Sequence, residues 1–131
     1  MPDSPVATVE AYFAALDVGD DEAALALLAD GFVLVQADSL PYGGTYQGRD
    51  GFETFLRRQR EAWATFRVGT PRCLSDGQRT VVALSTASGE TPGGTAFEMP
   101  MAQVFAVDGG KLQAAHPFYF DTAAVNALLG G

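Results

Sequence analysis

The chain has 131 residues, 47% of them hydrophobic, and a formal net charge of −8 from sixteen acidic and eight basic side chains. That length suits one domain, residues 1–131, with a real core, and the sign of the charge argues against nucleic acid or an anionic membrane as a partner. The lone cysteine, Cys73, cannot form an internal disulfide, the apolar runs fall far short of the ~20 residues of a membrane span, and the N-terminus lacks the basic and apolar regions of a signal peptide, so a cytoplasmic protein is expected.

Val6, Val9, Tyr12, Phe13 and Leu16 recur at helical spacing and predict a helix over 5–17, broken by Val18-Gly19. Asp20 is placed to cap a second helix, with Asp21 and Glu22 in its first turn and Leu25, Leu27 and Leu28 along it; Gly31 would end it. Phe32–Gln36 reads as a strand. After a loop rich in Gly and Tyr, Asp50 with Glu53 three residues on forms a capping-box pattern for a third helix. Phe52, Phe55, Leu56, Gln59, Trp63 and Phe66 fall on or near one stripe of it, which leaves Arg57, Arg58 and Arg60 to the solvent side.

The signal then turns to β. Strands are predicted over 65–74, 78–88, 95–107 and 111–120, separated by Ser75-Asp76-Gly77, by residues 89–94 and by Asp108-Gly109-Gly110. Four such strands make an antiparallel meander. Asp121-Thr122 can cap a last short helix with Val125, Leu128 and Leu129 inward. Helices first and strands after imply an α+β fold, a curved antiparallel sheet closed by the three early helices. A strongly bent sheet leaves a cavity, and an apolar cavity with a few polar groups is the default ligand site.

Three stretches carry a family resemblance: the end of the first helix, Tyr12 to Asp20; the loop Leu40-Pro-Tyr-Gly-Gly-Thr-Tyr-Gln-Gly-Arg-Asp50; and Val107-Asp-Gly-Gly-Lys-Leu with Tyr119-Phe-Asp-Thr-Ala123. In these the chain resembles the nuclear transport factor 2-like superfamily, and within it SnoaL-like and ketosteroid-isomerase-related proteins. The resemblance implies the conical fold, a hydrophobic pocket, no cofactor and a homodimer across the sheet. It does not fix the reaction, since one fold hosts many.

Ketosteroid isomerases use an Asp base at the end of the first strand and hold the enolate with a Tyr and a protonated Asp. By the resemblance, the Tyr falls on Tyr12 and the second donor on Gln103, whose amide can still donate a hydrogen bond. The base falls on Gln36, and an amide takes no proton at neutral pH. Asp38 is the displaced candidate: if the strand runs on, it shares a face with Gln36, ~6.6 Å further along. Asp38-Ser39 also suits the start of a turn, and both readings stand at this point. SnoaL-type cyclases depend on a His and an Asp from the late strands; the corresponding inward positions here are Ala115, Pro117 and Tyr119, without acid or base. The sole histidine, His116, would point to the other face, and a catalytic role for it needs a register error of one residue.

Other constellations fail. One His and one Cys give no metal cluster, and Gly43–Asp50 lacks the Gly-Lys-Ser/Thr ending of a phosphate loop. Trp63, Met101 and Tyr119 are expected to wall the pocket, with Tyr42, and Tyr46 beside it, either closing its mouth or packing as a loop tip. Three functions follow from this reading. The first is a cofactor-free isomerase- or cyclase-like enzyme acting on a small apolar carbonyl compound through an enolate, with Tyr12 and Gln103 as donors and Asp38 as base. The second is a hydrophobic-ligand-binding protein that uses the same pocket without a base. The third is an accessory dimeric protein.

Overall fold

A computed structural model describes residues 4–130. Helix α1 spans Pro5–Asp17: Ser4 caps it, its hydroxyl accepting from the Ala7 N–H at 3.1 Å, and Pro5 at its start has no N–H to leave unpaired. Val9, Tyr12, Phe13 and Ala15 are its buried side. Gly19, at φ +73°, turns the chain in a left-handed conformation that other residues resist. Asp20 then caps α2, accepting from the Ala23 N–H.

Helix α2 is shorter than its leucine pattern suggests, spanning only Asp21–Ala26, and strand β1 runs Leu28–Gln36. Long-range bonds explain the early stop. The last carbonyls of α2 are taken by Arg49 Nε (Leu25) and Lys111 Nζ (Ala26), and the Leu112 N–H binds the Leu27 carbonyl. Those partners sit far along the chain, so local periodicity does not reveal them.

The Gly- and Tyr-rich loop contains a further strand. β2, Gly44–Gln47, pairs antiparallel with β1, setting Gly44 opposite Gln36 and Tyr46 opposite Leu34. Residues 37–43 close this hairpin so tightly that a Cβ on Gly43 would lie 2.2 Å from the Ala37 carbonyl oxygen. Helix α3 follows at Gly48–Ala62, two residues before the expected cap; Gln47 stands at its N-cap without a side-chain bond, so Asp50 lies inside the first turn.

The predicted strand over 65–74 is two strands, β3 (Thr65–Val68) and β4 (Arg72–Ser75), divided by Gly69-Thr70-Pro71. Pro cannot donate to a ladder. Both pieces lie against the same edge of β5 (Thr80–Glu90), which pairs antiparallel with β6 (Ala96–Asp108), and β6 with β7 (Lys111–Tyr119). β1 joins the other edge of β7 in parallel, with an irregularity between Leu28 and Val33. The curled sheet is therefore mixed at one junction, with order β2-β1-β7-β6-β5-β3. Short helix α4, Thr122–Leu128, is capped by Asp121 and buries Val125.

Helices α1, α2 and α3 close the concave face. One buried cluster runs through them and the inner face of β1, β5, β6 and β7. Among the described residues no helix is long and apolar enough to cross a membrane.

Candidate functional site

Alternation along the strands decides what faces the helices. β6 turns Phe97, Met99, Met101, Gln103, Phe105 and Val107 inward, and β7 turns Ala115, Pro117 and Tyr119. α1 and α3 do not reach the floor of the curve. A cavity of about 330 Å³ remains between Tyr12, Phe13 and Leu16 of α1, Phe55, Leu56 and Gln59 of α3, Trp63, and the sheet residues Leu34, Gln36, Met101, Gln103, Pro117 and Tyr119. Asp17, Arg60 and Arg67 also border it. Each arginine there is paired: Arg60 with Asp21 at 2.8 Å and Arg67 with Asp17 at 3.0 Å.

Three polar residues set the wall chemistry. Tyr12 is 4% exposed, its ring edge-on to Phe13 and Phe105 at 5.6 Å. Burial pushes its pKa far above the usual phenol range, so it is a protonated donor. Gln36, 3% exposed, has a side-chain oxygen buried without any hydrogen-bond partner. Gln103, 7% exposed, has as its amide partner only the Met101 thioether, 3.6 Å from Nε2, a weak acceptor.

These amides lie in one row. Gln103 is opposite Pro117, and Leu34 is beside Ala115, so two residues further along the parallel strands Gln36 comes beside Pro117. Gln36 and Gln103 thus flank a proline, with Cα atoms roughly 10 Å apart across three strands. Tyr119, opposite Met101, stands in the next inward row.

Several expected positions change. Asp38 is exposed and borders no part of the cavity: β1 ends at Gln36, and the Leu40 N–H bonded to the Ala37 carbonyl turns the chain away. The two-residue period that would have carried it inward ends with the strand, and the turn-forming reading of Asp38-Ser39 describes the geometry. Tyr42 is no lid. It is fully buried behind the wall, its hydroxyl 2.6 Å from that of Tyr119 and accepting from the Trp63 indole N–H at 3.0 Å. The Tyr46 hydroxyl donates to the Tyr42 carbonyl at 2.9 Å and accepts from Arg58 at 2.7 Å, while Arg58 also holds the Pro41 carbonyl. His116 lies exposed on the outer face, opposite Val104. Trp63, Met101 and Tyr119 do wall the cavity.

Gln59, Asp17, Arg60 and Arg67 were not singled out as site residues. Gln59 had a visible signal, a polar residue on an otherwise apolar stripe. The other three border the cavity only because α1, α3 and β3 converge there, which no local pattern encodes. Among the described residues no group of three or more His, Cys, Asp or Glu could hold a metal ion.

A sequence profile of the SnoaL-like domain matches residues 9–115. No curated protein matches the chain in sequence. Among solved structures, TerC, crystallised with polyporic acid, superposes with a TM-score of 0.89 at 21% identity, over 97% of this chain and 98% of that one. An NTF2-like protein from Burkholderia thailandensis gives 0.85 at 29% identity, over 96% and 97%. A candidate polyketide cyclase from Xanthomonas campestris gives 0.80 at 23%, over 95% and 96%. These likenesses establish the fold.

Proposed function

The chain belongs to the SnoaL-like domain family, and from that premise and the cavity's chemistry we propose that it binds a small, mainly apolar, uncharged carbonyl compound without transforming it. One observation carries the reading. Apart from Asp17, Arg60 and Arg67, which are held in ion pairs, the polar groups of the cavity wall, on Tyr12, Gln36, Gln59, Gln103 and Tyr119, are neutral, and the Gln36 oxygen is left unpaired. The Gln36 oxygen can only accept, so its burial cost of about 1–3 kcal/mol is recovered only by a ligand that brings a hydroxyl or N–H beside its carbonyl. Amides and protonated phenols neither neutralise a buried charge nor take a proton from carbon. Tyr12 and Gln103 serve as ligand donors, Gln36 as an adaptable donor and acceptor, and Trp63, Met101 and the Phe residues as the apolar slot. That TerC, of the same fold, was co-crystallised with polyporic acid supports small-molecule binding as a role for this fold.

Trp63 is the only tryptophan and lines the cavity, so its fluorescence reports occupancy. Acetophenone, benzoate and benzylamine, matched in size, test the charge rule. Saturable quenching by the ketone alone is expected; preference for benzoate or benzylamine would refute it.

A catalytic reading, isomerase- or cyclase-like, keeps one support in the likeness to a candidate polyketide cyclase. Its base would be Asp17, among the described residues the only carboxylate on the cavity wall, which Arg67 already engages at 3.0 Å. Turnover of an enolisable ketone that is lost in Asp17→Asn would favour it over the binding reading.

The partner we propose is a second copy of the chain, seated on the outer sheet face. Leu84 is opposite Ala102, and Ala102 opposite Phe118, which is 56% exposed. Phe118→Arg is expected to turn a sedimenting dimer into a monomer; an unchanged dimer would place the interface elsewhere. The half-buried, unpaired Cys73 suits a reducing compartment such as the cytoplasm.

A further inference from the structure

Tyr119 ends a chain of three hydrogen-bonding side chains. The Trp63 indole N–H, which can only donate, points at the Tyr42 oxygen from 3.0 Å. The Tyr42 oxygen lies 2.6 Å from that of Tyr119. Tyr42 cannot swing away: its ring is fully buried, 6.1 Å from Phe55, and its carbonyl is held by the Tyr46 hydroxyl. Either hydroxyl of that pair could donate, and the Gln59 side chain also faces both of them. Where Tyr42 donates, Tyr119 accepts and its own proton is left for the cavity, where the Gln59 side chain stands beside it. Tyr42 lies behind the wall, whereas Tyr119 lines the cavity.

We propose that Tyr119 is a ligand-binding donor whose proton is aimed into the cavity by Trp63 acting through Tyr42, and that it holds the carbonyl oxygen of a planar aromatic or conjugated ketone. This rests on the reading of the cavity as a small-molecule site. Two further features fit the ligand class. The wall beside Tyr119 is aromatic: Phe66 lies edge-on to it at 6.3 Å, and Trp63, backed by Phe97 at 4.5 Å, also lines the cavity. Among the described residues no unpaired cation borders the cavity to hold an anionic oxygen instead, because Arg60 and Arg67 are both engaged. Burial, with the neighbouring Tyr42 phenol, pushes the Tyr119 pKa well above the usual phenol range, so it keeps its proton. Tyr42 and Trp63 are positioning residues; polarisation along the chain strengthens the final bond.

The test is the carbonyl stretch of carbonyl-labelled acetophenone bound to the protein, with affinity from calorimetry. The bound wild-type stretch is expected below its value in an apolar solvent. Tyr119→Phe is expected to return it to the apolar value and weaken binding roughly fivefold. Tyr42→Phe and Trp63→Phe are expected to return it part of the way with circular dichroism unchanged, a spectral change that loosened packing alone does not produce. A stretch indifferent to Tyr119→Phe overturns the proposal. If the stretch shifts only in Tyr12→Phe, the oxygen sits at Tyr12: the proposal falls and the ligand site stands. No wild-type binding removes both.

Discussion

Gln36 can be replaced in two ways with opposite consequences. Its side chain is 97% buried, and its oxygen has no partner. Gln36→Leu ends one heavy atom short of the amide and removes the unsatisfied group, so the recovered penalty is about 1–2 kcal/mol at the lower end of the usual range. An unfolding entropy of about 2.1 cal/mol/K per residue over 131 residues makes this roughly 4 °C in Tm per kcal/mol. Urea unfolding should show a higher midpoint with an unchanged slope, while affinity for acetophenone falls.

Gln36→Glu buries a carboxyl in the cavity wall, so desolvation raises its folded pKa above the ordinary ~4.3. The sign follows. The variant matches wild type below that ordinary value, where folded and unfolded forms are both protonated. It loses stability as pH rises, because only the unfolded form ionises freely, until the folded pKa is passed. A shift of about two units costs close to 3 kcal/mol at the plateau. A Leu variant less stable than wild type, or a Glu variant whose deficit does not grow with pH, would refute the view of Gln36 as an unsatisfied amide in a neutral cavity.

Other consequences follow from the same geometry. Asp38→Asn, on the exposed hairpin loop, should leave acetophenone affinity unchanged and unfolding free energy within about 0.5 kcal/mol, as read by calorimetry and urea titration. Arg58→Ala removes two bonds that fasten residues 41–46 and should cost about 1 kcal/mol in the same unfolding assay. Ketone affinity should be flat between pH 5 and 9, because the pKa values of Tyr12 and Tyr119 are both pushed up and both stay protonated; a transition in that window would reveal a titrating group inside. Asp21 has its pKa lowered from 3.8, chiefly by its bond to Arg60, so its stabilisation is present above that value and fades as pH falls through the lowered one. The pair is partly exposed, so Asp21→Asn should flatten the acid limb of stability by only a few tenths of a kcal/mol.

Sequence patterning located what burial dictates. The α1 stripe at Val9, Tyr12 and Phe13 follows from apolar periodicity, and the inward set Ala115, Pro117 and Tyr119 from the SnoaL-like resemblance; the structure buries both sets. The SnoaL-like resemblance located the positions of Tyr12, Gln36 and Gln103 on the cavity wall. What failed depended on distant partners. α2 stops early because Arg49 and Lys111 take its carbonyls. β2 hides in a glycine-rich stretch because its pairing with β1 outweighs weak strand propensity. Asp38 could be carried inward only by a strand two residues longer than β1 is. Tyr42 looked like a lid because tyrosine on a loop gives no sign of what its hydroxyl will meet; Tyr119 and Trp63 lie 77 and 21 residues away.

The central claim is that a neutral ligand pairs with the amide row inside the cone. The most direct measurement is the side-chain amide resonances of Gln36 and Gln103, assigned by substitution, during an acetophenone titration. Both NH₂ pairs are expected to shift together and to saturate with the quenching of Trp63. Shifts confined to outer-face residues such as Phe118, or amide resonances that stay fixed while Trp63 responds, would contradict it.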